Sequence, residues 1–408
     1  MSMHDFIEDA KRGGIAIAGH RYFKANNPKM GKAFNPSKPT TWISYIDANN
    51  LYSWAMSQYL PIGNYKWEIN AHFTLKTHDY LSDLPPAVEN MAVNKNMLCP
   101  YTTELVDKLN GGRFSATKKL APHLGPRKEY IIHYQELQYY IKLGIIIDEV
   151  IEILSFDQTN CLAPYIAFNT KKCQGAKNAF EKDFFKLMNS SVYSKTMENV
   201  RAHMGKASMT LNKPIIVRAS VLGLSKLLMY RFWYGYVKER YGLFKDETPI
   251  SVIAESIHIR GKSYHYVLAN KSTTSKHKGV SKKGISEIAT NSYIFDLEGT
   301  LLDDPVDRSL LSEEEVKNLA IQTEADPITL VYQDCLFDNK VFYAKNVGIR
   351  SKDHILSLVE LEKKGLCPID TKRWILSDKI TSLPYYYWRI QAYKNFISNR
   401  ISPELAEE

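Results

Sequence analysis

Cysteine is scarce: Cys99, Cys161, Cys173, Cys335 and Cys367 are scattered over 408 positions with no CxxC pair among them. This excludes a zinc ribbon and a dense disulfide framework, and a reducing, intracellular setting is the expectation. Long apolar runs are lacking too. Nothing approaches the roughly 18 residues that cross a bilayer, so no membrane partner is expected. The N-terminus, MSMHDFIEDAKRGG, has neither the basic nor the apolar region of a secretory signal, and the chain reads as soluble and unsecreted. Internal repeats are absent, and no D-x-D, two aspartates with a single residue between them, occurs anywhere in the chain. What is present is a globular composition, 44% hydrophobic and 12% aromatic, able to bury a large core over two or three lobes. Lysine plus arginine total 53 against 44 acidic residues, for a net charge of +9 and a pI near 9.0. That balance leans toward polyanionic partners, a lean shared by many basic proteins that bind no nucleic acid.

Thr41 to Ile46 (TWISYI) is β-branched and aromatic and reads as a buried strand running into Asp47. Glu129 to Leu143 carries Ile132, Leu137, Tyr140 and Ile141 near helical spacing, with Gly144 as the residue that ends the helix. Ile145 to Phe156 reads as strand. Thr170 to Arg201 is lysine-rich and free of proline. Its Phe180, Phe184, Leu187 and Met188 mark one helical face, with lysines on the others. Leu222 to Val237 is a second, aromatic helix. Residues 270–284 (NKSTTSKHKGVSKKG) read as a polar, basic loop. Ser286 to Asp326 then turns acidic, and a basic, aromatic portion resumes near Val331.

Three short patterns carry chemistry. Asp47-Ala-Asn-Asn-Leu-Tyr52 sets a carboxylate at a strand end, then a turn whose backbone can meet a triphosphate, then an aromatic ring. By itself it reads equally well as a strand-to-helix turn capped by Asp47. Lys186-Leu-Met-Asn-Ser190-Ser191-Val192-Tyr193-Ser194 offers a lysine, a compact point charge suited to phosphate, with Lys182 one turn earlier on the same side. The bland alternative is a solvated helix face. Arg260-Gly-Lys262-Ser-Tyr264 follows. In this order they resemble motif A (D-x-x-S/N-L-Y), motif B (K-x3-N-S-x-Y-G) and the K-x-Y motif of protein-primed family B DNA polymerases of mobile elements, linear plasmids and viruses. Arg12-Gly13-Gly14-Ile15 is a weaker match to the Y-x-G-G-I-like linker that precedes the polymerase domain, since no tyrosine opens it. Asp334-Cys-Leu-Phe337, Ile349 to His354 and Lys372 to Leu376 resemble the family's C-terminal segments.

The resemblance implies an α+β fold of palm, fingers and thumb, with an antiparallel palm sheet bearing Asp47 and helical fingers bearing Lys186. The segments it implies are a palm start at 1–70, a terminal-protein-region-like insertion with palm at 71–155 and fingers at 156–215. Palm with K-x-Y at 216–270, a basic loop and acidic insertion at 271–330, and a thumb-like region at 331–408 would follow. The implied activity is DNA-directed DNA synthesis from dNTPs with Mg2+, on a DNA primer-template and primed by a terminal-protein hydroxyl. Asp47 would be the catalytic metal ligand; Tyr52, Lys182, Lys186 and Tyr193 would meet the nucleotide; Gly13, Gly14, Lys262 and Tyr264 would meet DNA.

Departures from the family are as informative. Ser190 stands where motif B has Asn, and Ser194 where it has Gly. Two-metal nucleotidyl transfer needs carboxylates from two strands, holding ions about 3.5–4 Å apart. The family's second set comes from motif C, a Y-x-D-T-D-S hairpin. Here Tyr241-Gly242 runs straight into Leu243-Phe-Lys-Asp-Glu-Thr248. Asp246 and Glu247 are the nearest acids and lack an apolar hairpin around them. Impaired catalysis is therefore expected, as is an uncovered Leu222–Val237 helix; the alternative function is a non-catalytic DNA-binding remnant of a domesticated mobile element. Phe295-Asp296-Leu-Glu298-Gly-Thr resembles the nucleophile loop of haloacid-dehalogenase-type phosphohydrolases, with Glu298 replacing the second aspartate. Too little chain follows for that fold, and an inserted acidic loop is the plainer reading.

Overall fold

Four antiparallel strands make the central sheet, in the order Tyr22–Lys24, Ile253–Arg260, Ser263–Leu268, Thr273–His277. Ile257 and Ile259 are wholly buried on one face of it, under Ile285 and Ile288 of the Lys282–Leu297 helix and Val331, Tyr332 and Leu336 of the Pro327–Phe337 helix. The architecture is α+β with an antiparallel sheet. The computed structural model describes residues 10–48, 50–63, 70–151, 156–195, 214–237, 245–246, 248, 251–297, 326–352 and 355–399. The Tyr241-Gly242-Leu243 junction, Glu247, Glu298, the acidic run up to 325 and His354 lie outside them. Among the described residues no helix is long and apolar enough to cross a membrane.

Arg21 joins the two ends of the chain to the sheet. It is 1% exposed, and its guanidinium donates to the carbonyls of Ile259 (3.0 Å), Pro368 (2.8 Å) and Lys379 (3.0 Å). Buried carbonyls of three segments are thus satisfied by one planar fork of donors. A second core forms where the Leu51–Met56 and Ile215–Phe232 helices meet. Ala55, Met56, Val221, Leu224 and Leu227 are buried there, with Ile166 from the Ala163–Gln174 helix and Val192 from the Ala179–Lys195 helix.

Several local expectations are corrected. Of Thr41 to Ile46 only the end is strand: Ile46–Asp47 pairs with Lys245–Asp246, while Thr41 and Ile43 make single bridges to Asn26 and Ile253. The run is not buried, Trp42 being 49% exposed, because β propensity without a ladder partner does not make a strand. The helix that follows is capped by Asn50, in the left-handed region at φ 56, and not by Asp47. Residues 270–284 are not a plain loop: Thr273–His277 adds to the open edge of Ser263–Leu268, a place that β-branched Thr273 and Thr274 suit. Within the run expected from Thr170 to Arg201, whose residues from 196 on lie outside the described ones, the chain is broken at Gly175 into the two helices named above. Phe180, Phe184 and Leu187 are 79%, 46% and 65% exposed, so the apolar stripe points away from the core reached by Val192. The aromatic helix is Ile215–Phe232 with a π turn at Trp233–Val237, and it is well covered, Val221, Leu224 and Leu227 being wholly buried. Asp296 lies inside the Lys282–Leu297 helix rather than at a strand end, which removes the phosphohydrolase loop.

The helix expected over Glu129–Leu143 is shorter, Tyr134–Lys142: Ile132 precedes it, and Ile141 is exposed rather than on a buried face. His133 caps it through Nδ1, and Leu143 ends it before Gly144 at φ 94. The strand expected through Phe156 is realised as Ile145–Glu149, with Asp157–Thr159 beyond four residues that are not described.

Candidate nucleotide and nucleic-acid site

The second core brings two distant tyrosines face to face. Tyr52 begins the Leu51–Met56 helix and Tyr193 ends the Ala179–Lys195 helix, and their rings stack at 4.7 Å with planes 7° apart. The Arg218 guanidinium lies 5.9 Å from the Tyr193 ring centre. Burial raises the Tyr52 hydroxyl above its ordinary pKa and Tyr193 adds to the rise, while Arg218 opposes it. At about 100° per residue, Lys182, Lys186, Asn189 and Tyr193 fall in one strip of the helix about 60° wide.

Within that strip the Lys186 ammonium is 3.6 Å from the Asp183 carboxylate, an exposed i,i+3 pair. A bound triphosphate must compete with Asp183. Asp183→Asn is therefore expected to tighten dNTP binding about two- to fivefold, the worth of an exposed pair, by titration of the full chain; unchanged affinity would separate Lys186 from the phosphates. Ser190 and Ser194 turn their hydroxyls back onto the helix, donating to the Lys186 (3.0 Å) and Ser191 (2.7 Å) carbonyls. The amide in the strip is instead Asn189, 3% exposed and with no partner for Oδ1 among the described residues. Helical phase from Lys186 and Tyr193 would have found it; matching the motif position by position does not.

Asp47 sits in a two-residue ladder. Its register partner is Lys245, and Ile46 is opposite Asp246. Among the described residues no group of three or more His, Cys, Asp or Glu could hold a metal ion.

A cavity of about 680 Å³ opens beside the Ser263–Leu268 and Thr273–His277 strands, bordered by Lys262, Tyr264, Lys276, Lys278 and Lys282. Lys262 occupies the hairpin turn at φ 65. The Tyr264 hydroxyl donates to the Tyr45 hydroxyl at 3.0 Å, and the Lys276 ammonium to the same oxygen at 3.1 Å. Tyr264 also stacks on Tyr266 and His258. Burial, then Arg260 and Lys363, push His277 down to about 4, so the cavity's positive charge comes from lysine. Gly13 and Gly14 are exposed, irregular, and would accept a Cβ without contact, so no close approach requires glycine there. Gly14 borders a separate cavity of about 310 Å³ with Tyr52, Ile46 and Lys226. The structure thus groups Tyr52 with Tyr193 and Lys262 with Tyr264.

No protein family matches the chain. No curated protein matches it. Among solved structures it is similar to Phi29 DNA polymerase complexed with primer-template DNA and incoming nucleotide substrates, at 12% identity and TM-score 0.43, covering 90% of this chain and 63% of that one. The orthorhombic crystal form of Phi29 DNA polymerase gives 13% identity and TM-score 0.41, covering 71% and 57%. Its complex with single-stranded DNA gives 12% and 0.35, again covering 71% and 57%. The chain spans about three-fifths of the length of the polymerases it matches.

Proposed function

We propose that this chain is a DNA polymerase of the protein-primed family B type whose nucleotidyl-transfer step is impaired. One observation carries the reading: the stack of Tyr52 on Tyr193, which joins the aromatic positions of two motifs far apart in sequence. In this reading the Tyr52 ring packs under the sugar of a dNTP and excludes a ribose 2′-hydroxyl by its bulk. Lys186, with Lys182, holds the triphosphate as point charges. Lys262 and Tyr264 hold the primer terminus, and a terminal-protein hydroxyl supplies the first primer. Mg2+ would supply Lewis acidity at Asp47, the metal ligand that the resemblance to motif A implies, while the family's second carboxylate pair has no counterpart in the sequence.

A non-catalytic DNA-binding remnant is the second reading, favoured by Lys245 standing opposite Asp47 in the ladder. Primer extension with Mg2+ separates the two. Extension that drops about a hundredfold or more in Asp47→Asn, the scale of a lost catalytic group, supports the polymerase. If Asp246→Asn drops it equally, Asp246 completes the site. No extension, together with salt-sensitive DNA binding, supports the remnant; no DNA binding even at low salt removes both.

A further inference from the structure

A second polar cavity, of about 410 Å³, borders Arg260 and Gly261 at the start of the hairpin turn that carries Lys262. Its walls come from three distant segments. Arg113 and Lys119 follow the Pro100–Asn110 helix, Arg260 ends a sheet strand, and Lys364 and Lys372 flank the end of the Ile355–Leu366 strand. Five cations line it against one carboxylate, Asp370, which is 7% exposed. That carboxylate already accepts the Lys372 backbone N–H at 2.9 Å.

Each lysine has a hydrogen-bond partner, Lys119 and Lys372 from half-buried positions and Lys364 from an exposed one. The Lys119 ammonium donates to the Thr371 hydroxyl, Lys364 to Asn110 Oδ1 at 2.5 Å, and Lys372 to the Ala16 carbonyl at 3.4 Å. Like charges this close repel unless countered. Burial lowers the Lys119 pKa, and Lys372 and Arg260 lower it further against Asp370; burial lowers Lys372 as well, with Lys262 and Lys278 adding to the effect. A structural ion-pair cluster would balance its signs. This one leaves an excess of four positive charges around a space that a small anion can enter.

We propose that this cavity binds a phosphate-rich anion of two or more negative charges, a terminal phosphate or polyphosphate group. Arg113 and Arg260 offer forked donors to phosphate oxygens, and Lys119, Lys364 and Lys372 offer point charges. The ligand's charge replaces the counterions that the fold omits. This site adjoins the Lys262 cavity at the Arg260–Lys262 turn, and its binding of a small polyphosphate holds whether or not the chain extends primers.

The probe is inorganic tripolyphosphate, titrated calorimetrically into the full chain at low salt. Lys119→Met and Arg113→Gln are each expected to weaken it about tenfold or more, as loss of a hydrogen bond to a charged group does. Lys171→Gln, a charge loss on the Ala163–Gln174 helix, no residue of which borders the cavity, is expected to change it less than about twofold by screening. Arg113 is exposed, so its variant keeps the fold and decides the matter should Lys119→Met fail to fold. A second arm compares 5′-phosphoryl with 5′-hydroxyl oligonucleotides of one sequence. Tighter binding of the phosphoryl form, lost in Arg113→Gln, makes a nucleic-acid end the source. Equal binding of the two, with tripolyphosphate still sensitive to Arg113→Gln, makes it a free polyphosphate. Tripolyphosphate binding that is absent, or equal in both variants and parent, overturns the site. Primer extension reads the polymerase proposal independently.

Discussion

Raising salt from about 50 to about 200 mM is expected to weaken the binding of primer-template DNA by about a thousandfold. Six cations, Arg260, Lys262, Lys276, Lys278, Lys282 and Lys372, border the cavity at Tyr264 or the turn beside it. If each neutralises one phosphate, the slope of log affinity on log salt is about −5, since each contact releases a condensed counterion. His277 adds nothing to that count at neutral pH, because it is neutral until about pH 4. Lys262→Ala should flatten the slope by about one and weaken binding to unrelated sequences alike, as phosphate contacts carry no base information. Filter binding over a salt series on two unrelated duplexes measures both. A slope near zero would remove the nucleic-acid reading of the Lys262 cavity, and a loss confined to one sequence would mean that Lys262 reads bases.

Stability is expected to fall steeply as pH drops from about 6.5 toward 4. Five histidines, His123, His133, His258, His265 and His277, are each pushed from the ordinary 6.5 to about 4, burial being the first cause in every case. His123 shows how the neutral form is held. Its Nδ1 lies 3.0 Å from the Arg127 guanidinium and so accepts, leaving Nε2 to carry the proton toward Glu89 at 3.0 Å. In the window between 4 and 6.5 the unfolded chain binds protons that the folded chain refuses, so stability rises with pH across it and is flat with respect to these groups above it. Each tenfold loss of proton affinity on folding corresponds to about 1.4 kcal/mol. The four more deeply buried rings all act in this direction, and the more open His277 counts for less. Urea midpoints at pH 7.5 and 4.5 check this. Equal midpoints would mean that the buried rings are protonated in the native state.

Local signals in the sequence were enough for the features that depend only on near neighbours. The left-handed Gly144 located the C-terminal end of the Tyr134–Lys142 helix, because a C-terminal cap is closed within one segment, whereas the apolar period ran on to Ile132, which precedes the helix, and Ile141, which is exposed. Motif order likewise singled out Tyr52, Tyr193, Lys262 and Tyr264, which the structure groups in two pairs. What tertiary structure alone decided has one physical reason: a ladder or a buried charge needs a partner from elsewhere in the chain. Thr41 to Ser44 stays out of a ladder, and Thr273–His277 enters one, according to which strand edge stands open beside it. The register of Ile46 with Asp246, the Arg21 fork and the five cations around Asp370 all join residues far apart along the chain. No window of sequence contains both halves of such a contact, so packing, and not propensity, determined them.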